Sequence, residues 1–213
     1  MKKAFIWDLD GTLLDSYALI VPCLQQTLQE MGLHMAQEEI RNIVLRDSVT
    51  ALMELGSEKT GLPFDTLMGR YKEISEARLM EIPLLPGAKD LLAWLKEQGI
   101  ENHVYTHRGA SSEPVLRHLG IRDCFGEVIT SLNGFPRKPD PTGLVYLQKK
   151  LGYPMDALCY VGDRRLDMEC ALNGGMDCVL LLTPESPITP TGRETAVICA
   201  LMDLPLLIEQ GIL

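Results

Sequence analysis

The stretch that most constrains the fold is Phe5-Ile6-Trp7-Asp8-Leu9-Asp10-Gly11-Thr12-Leu13. An apolar run ends in two carboxylates one residue apart, followed by a glycine and a hydroxyl. With the two-residue period of a strand, Asp8 and Asp10 fall on one side at its carboxyl end. That end is where open α/β sheets bind ligands. Two like charges so close repel each other unless a cation intervenes. Taken alone, the stretch equally fits a strand that closes in a polar turn.

The rest of the chain separates into two patterns. From Asp15 to Glu81 it reads as helix only: a first helix opened by Asp15-Ser16 with Ile20, Leu24, Leu28 and Met31 at helical spacing, then Glu38–Leu45, Val49–Leu55 and Phe64–Met80. The proline-rich run Ile82-Pro83-Leu84-Leu85-Pro86-Gly87 breaks the pattern and, with Leu13–Ser16, reads as a hinge. Beyond it, helices (Ala88–Gln98, Glu113–Leu119, Pro141–Leu151, Leu166–Asn173) alternate with strands (Asn102–Thr106, Glu127–Thr130, Leu158–Val161, Cys178–Leu182). Thr183–Thr195 reads as loop and Ile198–Gln210 as a last helix. Alternation of this kind implies a parallel sheet with right-handed crossovers. The expected architecture is therefore α/β: a Rossmann-like, doubly wound, mostly parallel sheet built from residues 1–14 and 82–213, with an all-α cap at 15–81 inserted after the first strand.

Composition narrows the partners. A formal net charge of −9 argues against a nucleic-acid or anionic-membrane surface. No apolar run reaches membrane-spanning length. The six cysteines are scattered without a C-x-x-C pair, so they are expected to be reduced, small core residues of a cytoplasmic protein. Trp7 and Trp94 are also assigned to the core, and His34, His103 and His118 are taken as ordinary surface or core histidines. Neither a G-x-x-x-x-G-K-[ST] loop nor a G-x-G-x-x-G turn is present, which removes the usual nucleotide-binding readings.

Four strands of the α/β part run into residues capable of chemistry. They are Asp8 and Asp10 after the first, Thr106-His107-Arg108 after the second, Lys138 in the loop after the third, and Asp163 to Asp167 after the fourth. Each has a structural explanation by itself: a cap, a solvated loop charge, an ordinary turn. Together they converge on one edge of one sheet, which unrelated turns would not be expected to do.

These stretches resemble the haloacid dehalogenase-like hydrolase superfamily, in the branch with a helical cap after the first strand. The resemblance is carried by Asp8-Leu9-Asp10-Gly11-Thr12-Leu13, by Thr106, by Arg137-Lys138-Pro139-Asp140-Pro141, and by Gly162-Asp163-Arg164-Arg165-Leu166-Asp167, in the family's order. Phosphoglycolate phosphatase and β-phosphoglucomutase relatives look nearest in cap type and position. The resemblance implies Asp8 as nucleophile and Asp10 as acid and then base, with Mg²⁺ on Asp8, the Asp10 backbone carbonyl and Asp163. It further implies phosphate binding by Thr106, the amide of His107 and Lys138, with Asp167 supporting Lys138 or the metal's waters. Arg46 stands where mutase-like relatives place a cap arginine that reaches substrate phosphate, and Arg108 could also face the substrate.

The activity so implied is a Mg²⁺-dependent phosphatase acting on a small phosphorylated metabolite. A phosphomutase would use the same residues with a phosphosugar in place of water. A receiver-like phosphoacceptor module or a non-catalytic partner protein on the same fold are the other readings.

Overall fold

The computed structural model describes residues 2–213, which form two compact units. One comprises residues 2–14, 83–185 and 189–213; the other comprises residues 15–82 together with 186–188.

The first unit is built on a six-stranded sheet: β1 (Ala4–Trp7), β2 (Glu101–Tyr105), β3 (Val128–Ile129), β4 (Leu158–Gly162), β5 (Asp177–Leu181) and β6 (Ala196–Ile198). All neighbouring strands pair in parallel, in the order β3-β2-β1-β4-β5-β6. The connecting helices are α5 (Ala88–Glu97), α6 (Ser112–His118), α7 (Thr142–Leu151) and α8 (Arg165–Asn173), with α9 (Leu204–Glu209) at the end. This is the doubly wound α/β architecture expected from the alternating pattern. β1 and β4 are fully buried, as their near-continuous apolar runs require of central parallel strands. The strand order reverses between them, so the crevice at their carboxyl ends is the topological switch point where such sheets bind ligands.

The second unit contains α1 (Tyr17–Glu30), α2 (Gln37–Arg46), α3 (Val49–Thr60) and α4 (Phe64–Ala77). Leu24, Leu28, Ile40, Leu52, Met53 and Leu67 close its core. α3 approaches its neighbours at Gly56, where a Cβ would stand 2.7 Å from Leu67 and 3.0 Å from Leu28. Across the surface, Arg70 of α4 pairs with Glu30 of α1. None of the helices among the described residues is long and apolar enough to cross a membrane.

Several local expectations are corrected. The tail is not one helix from Ile198: Ala196–Ile198 adds to β5 as a sixth strand, and the helix starts only at Leu204. The Asp203 carboxylate accepts the amides of Cys199 (3.0 Å) and Ala200 (2.9 Å), fixing the turn between them, and Pro205 sits in the helix's first turn. α3 runs on to Thr60 because Gly61, at φ +72°, is the residue able to close it. α4 stops at Ala77, with a short 3₁₀ turn at Leu79–Glu81. Ser16 precedes α1 without a side-chain capping bond. Trp94 is only partly buried, and of the six free thiols Cys199 is exposed and Cys124 half-buried.

Candidate active site

The amide of Asp8 continues the β1 ladder by donating to Val161 O at 2.9 Å, so Asp8 leaves the sheet beside the end of β4. Asp163 follows β4 directly, and Asp167 lies in the first turn of α8. One carboxylate oxygen from each of Asp8, Asp163 and Asp167 lies within 4.8 Å of the others, and all three residues are buried. Lys138 reaches them from the loop after β3: its Nζ donates to Asp8 Oδ1 at 2.9 Å and to Asp167 Oδ1 at 2.7 Å.

Each member is fixed from behind. Thr12 donates to Asp163 Oδ1 at 3.2 Å, and Asp167 Oδ2 accepts the Arg164 amide at 3.1 Å. Tyr160 donates to the backbone oxygen of Tyr105 at 2.9 Å and lies 3.3 Å from Asp167 Oδ1. The Lys138 ammonium stands 5.3 Å from the Tyr105 ring centre and 5.1 Å from that of Tyr160, within cation–π range. Its loop is held at several points: Asn173 Nδ2 donates to Pro139 O at 3.1 Å, and the Lys138 amide donates to His107 Nε2 at 2.8 Å.

Electrostatically the cluster is short of positive charge. Burial pushes the Asp8 carboxyl up to about 6, with Lys138 opposing and Asp167 and Asp10 reinforcing. Burial, then the Asp167 and Asp8 charges, raise Asp163 well above the carboxylate range. For Lys138, burial disfavours the ammonium, but Asp167 and Asp8 outweigh it and the amine is held more firmly protonated than usual. Lys138 meets two of the three carboxylates, Asp8 and Asp167; with all three ionised, the cluster carries two negative charges that must be met from elsewhere. An oxygen-only set with that surplus fits a hard divalent cation such as Mg²⁺.

Asp10 does not join this cluster. Its carboxylate pairs with Arg108: Nε lies 3.1 Å from Oδ1 and 3.2 Å from Oδ2, and Nη2 also donates to Oδ1. Thr106 is buried at the end of β2, its amide on Ile129 O and its hydroxyl accepting the Arg108 amide at 3.2 Å. The His107 ring faces Lys138's backbone, and burial, then the Lys138 and Arg137 charges, lower its pKa to about 4. The imidazole is therefore neutral, with Nε2 as acceptor. Arg46 is an exposed residue at the end of α2.

Arg108 as the partner of Asp10, the latch from His107 to Lys138, and the Tyr105–Tyr160 box were not foreseen. Arg108 carried one available signal, its place three residues past the end of β2, a strand that abuts β1.

The sequence profile described as haloacid dehalogenase-like hydrolase matches residues 5–181. A phosphoglycolate phosphatase of Pseudomonas aeruginosa is 30% identical over 219 aligned residues, covering 96% of this chain and 79% of that protein. A phosphoglycolate phosphatase of Pseudomonas syringae is 27% identical, over 85% of this chain and 70% of its own length. Among solved structures, a predicted phosphoglycolate phosphatase from Haemophilus somnus superposes with a TM-score of 0.85 at 21% identity, over 97% of this chain and 98% of the other. A family hydrolase from Deinococcus radiodurans, crystallised with bound phosphate and sodium, superposes with a TM-score of 0.83 at 22% identity, over all of this chain and 97% of the other. The last two establish likeness of fold.

Proposed function

The chain belongs to the haloacid dehalogenase-like hydrolase family and is a phosphatase of it, and we propose that it hydrolyses a small-molecule phosphomonoester with Mg²⁺ through an aspartyl-phosphate on Asp8. The observation that carries this reading is the buried meeting of Asp8, Asp163 and Asp167 beside Lys138 at the switch point of the sheet. Mg²⁺ would be held by Asp8, the Asp10 backbone carbonyl and Asp163, and when bound it supplies charge neutralisation of the phosphoryl oxygens.

The protein's own groups divide the chemistry. Asp8 attacks phosphorus, with its orientation set by Lys138. Asp10 protonates the departing oxygen and then takes a proton from the water that releases phosphate. Thr106, the His107 amide and Lys138 receive the phosphoryl oxygens, and Asp167 keeps the Lys138 ammonium in place. His107 contributes through its backbone amide, since its ring is occupied with the Lys138 loop. Arg46 is read by Arg46→Glu: a raised KM assigns it to the substrate, and unchanged kinetics make it a solvated helix end. A cytoplasmic setting with reduced thiols goes with this reading.

The test is phosphate release from a panel of phosphorylated metabolites, with Mg²⁺ and with chelator. The relatives' names put 2-phosphoglycolate first in that panel. Turnover of at least one phosphomonoester that vanishes with chelator and returns with Mg²⁺ is expected. Full activity without metal, or no turnover across the panel, would overturn it.

A further inference from the structure

Asp10 sits on a turn just past the end of β1, where a carboxylate left to itself samples several rotamers. Here it is gripped. The Arg108 side chain is 8% exposed against 27% for Asp10, and its guanidinium reaches both carboxylate oxygens. On the other side Nη1 donates to Ser111 Oγ at 3.2 Å. The Arg108 backbone is pinned as well, its amide on Thr106 Oγ1 and its carbonyl accepting the Ser131 amide, both at 3.2 Å. A rigid planar fork held at both ends fixes the plane of the carboxylate it binds, which a lysine ammonium would not do as narrowly.

We propose that Arg108 is the positioning residue for Asp10, holding its carboxyl group in the orientation from which a proton reaches the leaving oxygen, and that it thereby suits the site to alkyl phosphomonoesters. The inference rests on the phosphatase reading above. In the step it serves, an oxygen of Asp8 bonds to phosphorus as the bond from phosphorus to the ester oxygen breaks. The electron pair left on that oxygen takes the proton from Asp10, and a neutral alcohol departs. Asp10 is left as a carboxylate facing Arg108, ready to accept a proton from the incoming water. An alkoxide is a poor leaving group without that proton, whereas a p-nitrophenolate departs unaided, so the two ester classes depend on Asp10 very differently.

The test compares kcat/KM, which reports steps up to departure of the alcohol, for glycerol 2-phosphate and p-nitrophenyl phosphate with Mg²⁺ present. Since general acid catalysis is worth about 10²–10⁴-fold, misaligning the acid in Arg108→Met should lower kcat/KM on glycerol 2-phosphate by roughly 10–100-fold. The p-nitrophenyl ester should lose less than about three-fold. Arg108→Lys should recover part of the loss and keeps the question answerable if the methionine variant does not fold. In an Asp10→Asn background the Arg108→Met change should cost nothing further, and calorimetric binding of orthophosphate should be unchanged. Equal losses on both esters, further loss in the Asp10→Asn background, or weakened orthophosphate binding would overturn the proposal, the last by making Arg108 an anion ligand. Wild-type protein active on the aryl ester and inert to the alkyl ester overturns it and spares the phosphatase reading; inertness to both, and to the metabolite panel, removes both.

Discussion

His107 accepts the backbone N–H of Lys138 on its Nε2 at 2.8 Å. The bond ties the end of β2 to the loop that delivers the ammonium to Asp8 and Asp167. His107→Ala would leave that amide without its acceptor, at a cost of about 1–3 kcal/mol. Thermal melting should therefore fall by several degrees, with a fall in kcat because Lys138 loses its register. His107→Gln, whose amide oxygen can accept the same bond, should restore part of both. Unchanged melting and kinetics in the alanine variant would show the latch to be inert.

Asp8→Asn should retain the fold and lose turnover by ~10⁴-fold or more, the scale on which deleting a nucleophile acts. Circular dichroism and phosphate release measure the two halves. Substantial residual turnover would remove Asp8 from the nucleophile's place.

Binding of a divalent cation to the native acidic cluster should stabilise the protein. At 100 times its Kd the gain is about 2.7 kcal/mol, equivalent to a rise in Tm of roughly 5–10 °C for a chain of this size. Melting with Mg²⁺ and with chelator should show that rise, and Asp163→Asn should abolish most of it. An equal rise in both proteins would put the cation elsewhere.

His103 gives a pH dependence of known sign. It is buried, its Nδ1 accepts the Glu127 amide at 3.0 Å, and its Nε2 lies 3.1 Å from Glu101. Burial lowers its pKa against the opposing pull of Glu101. The unfolded residue titrates near ~6.5, so this contribution to stability is complete above that pH and is lost as pH falls toward the folded value. Urea unfolding between pH 7 and 5 should show a steeper loss for the wild type than for His103→Gln. Parallel slopes would contradict the assignment.

Gly162 ends β4 against Asp167: a Cβ there would lie 2.5 Å from Asp167 Cβ and 2.7 Å from its Cγ. Gly162→Ala should cost about 1–3 kcal/mol by overpacking. It should also slow turnover, since the displaced carboxylate is the one holding Lys138. A variant that melts and turns over like the wild type would mean that Asp167 can move without consequence.

Long-period features of the fold were legible in the sequence, and short or distant ones were not. The change from uninterrupted helix to alternating strands beyond Pro86 announced the parallel sheet, because a buried parallel strand needs an apolar run such as Leu158–Val161. β6 escaped notice because three residues, Ala196–Ile198, carry no periodicity and follow a run rich in proline and threonine. The Arg108–Asp10 pair joins residues 98 apart, so neither neighbourhood hints at the other. His107 looked like part of a phosphate loop because its amide position suggests that; where its ring points depends on a loop 31 residues away.

The brevity of the two outermost strands has its own consequence. Exposed strand edges are templates on which another chain can add, and natural sheets blunt them by keeping them short. Here the open edges fall on β3, with two residues, and β6, with three. Neither offers enough unpaired backbone to seed a growing ribbon of copies, so the six-stranded layer ends where it does and has little tendency to extend itself into aggregates.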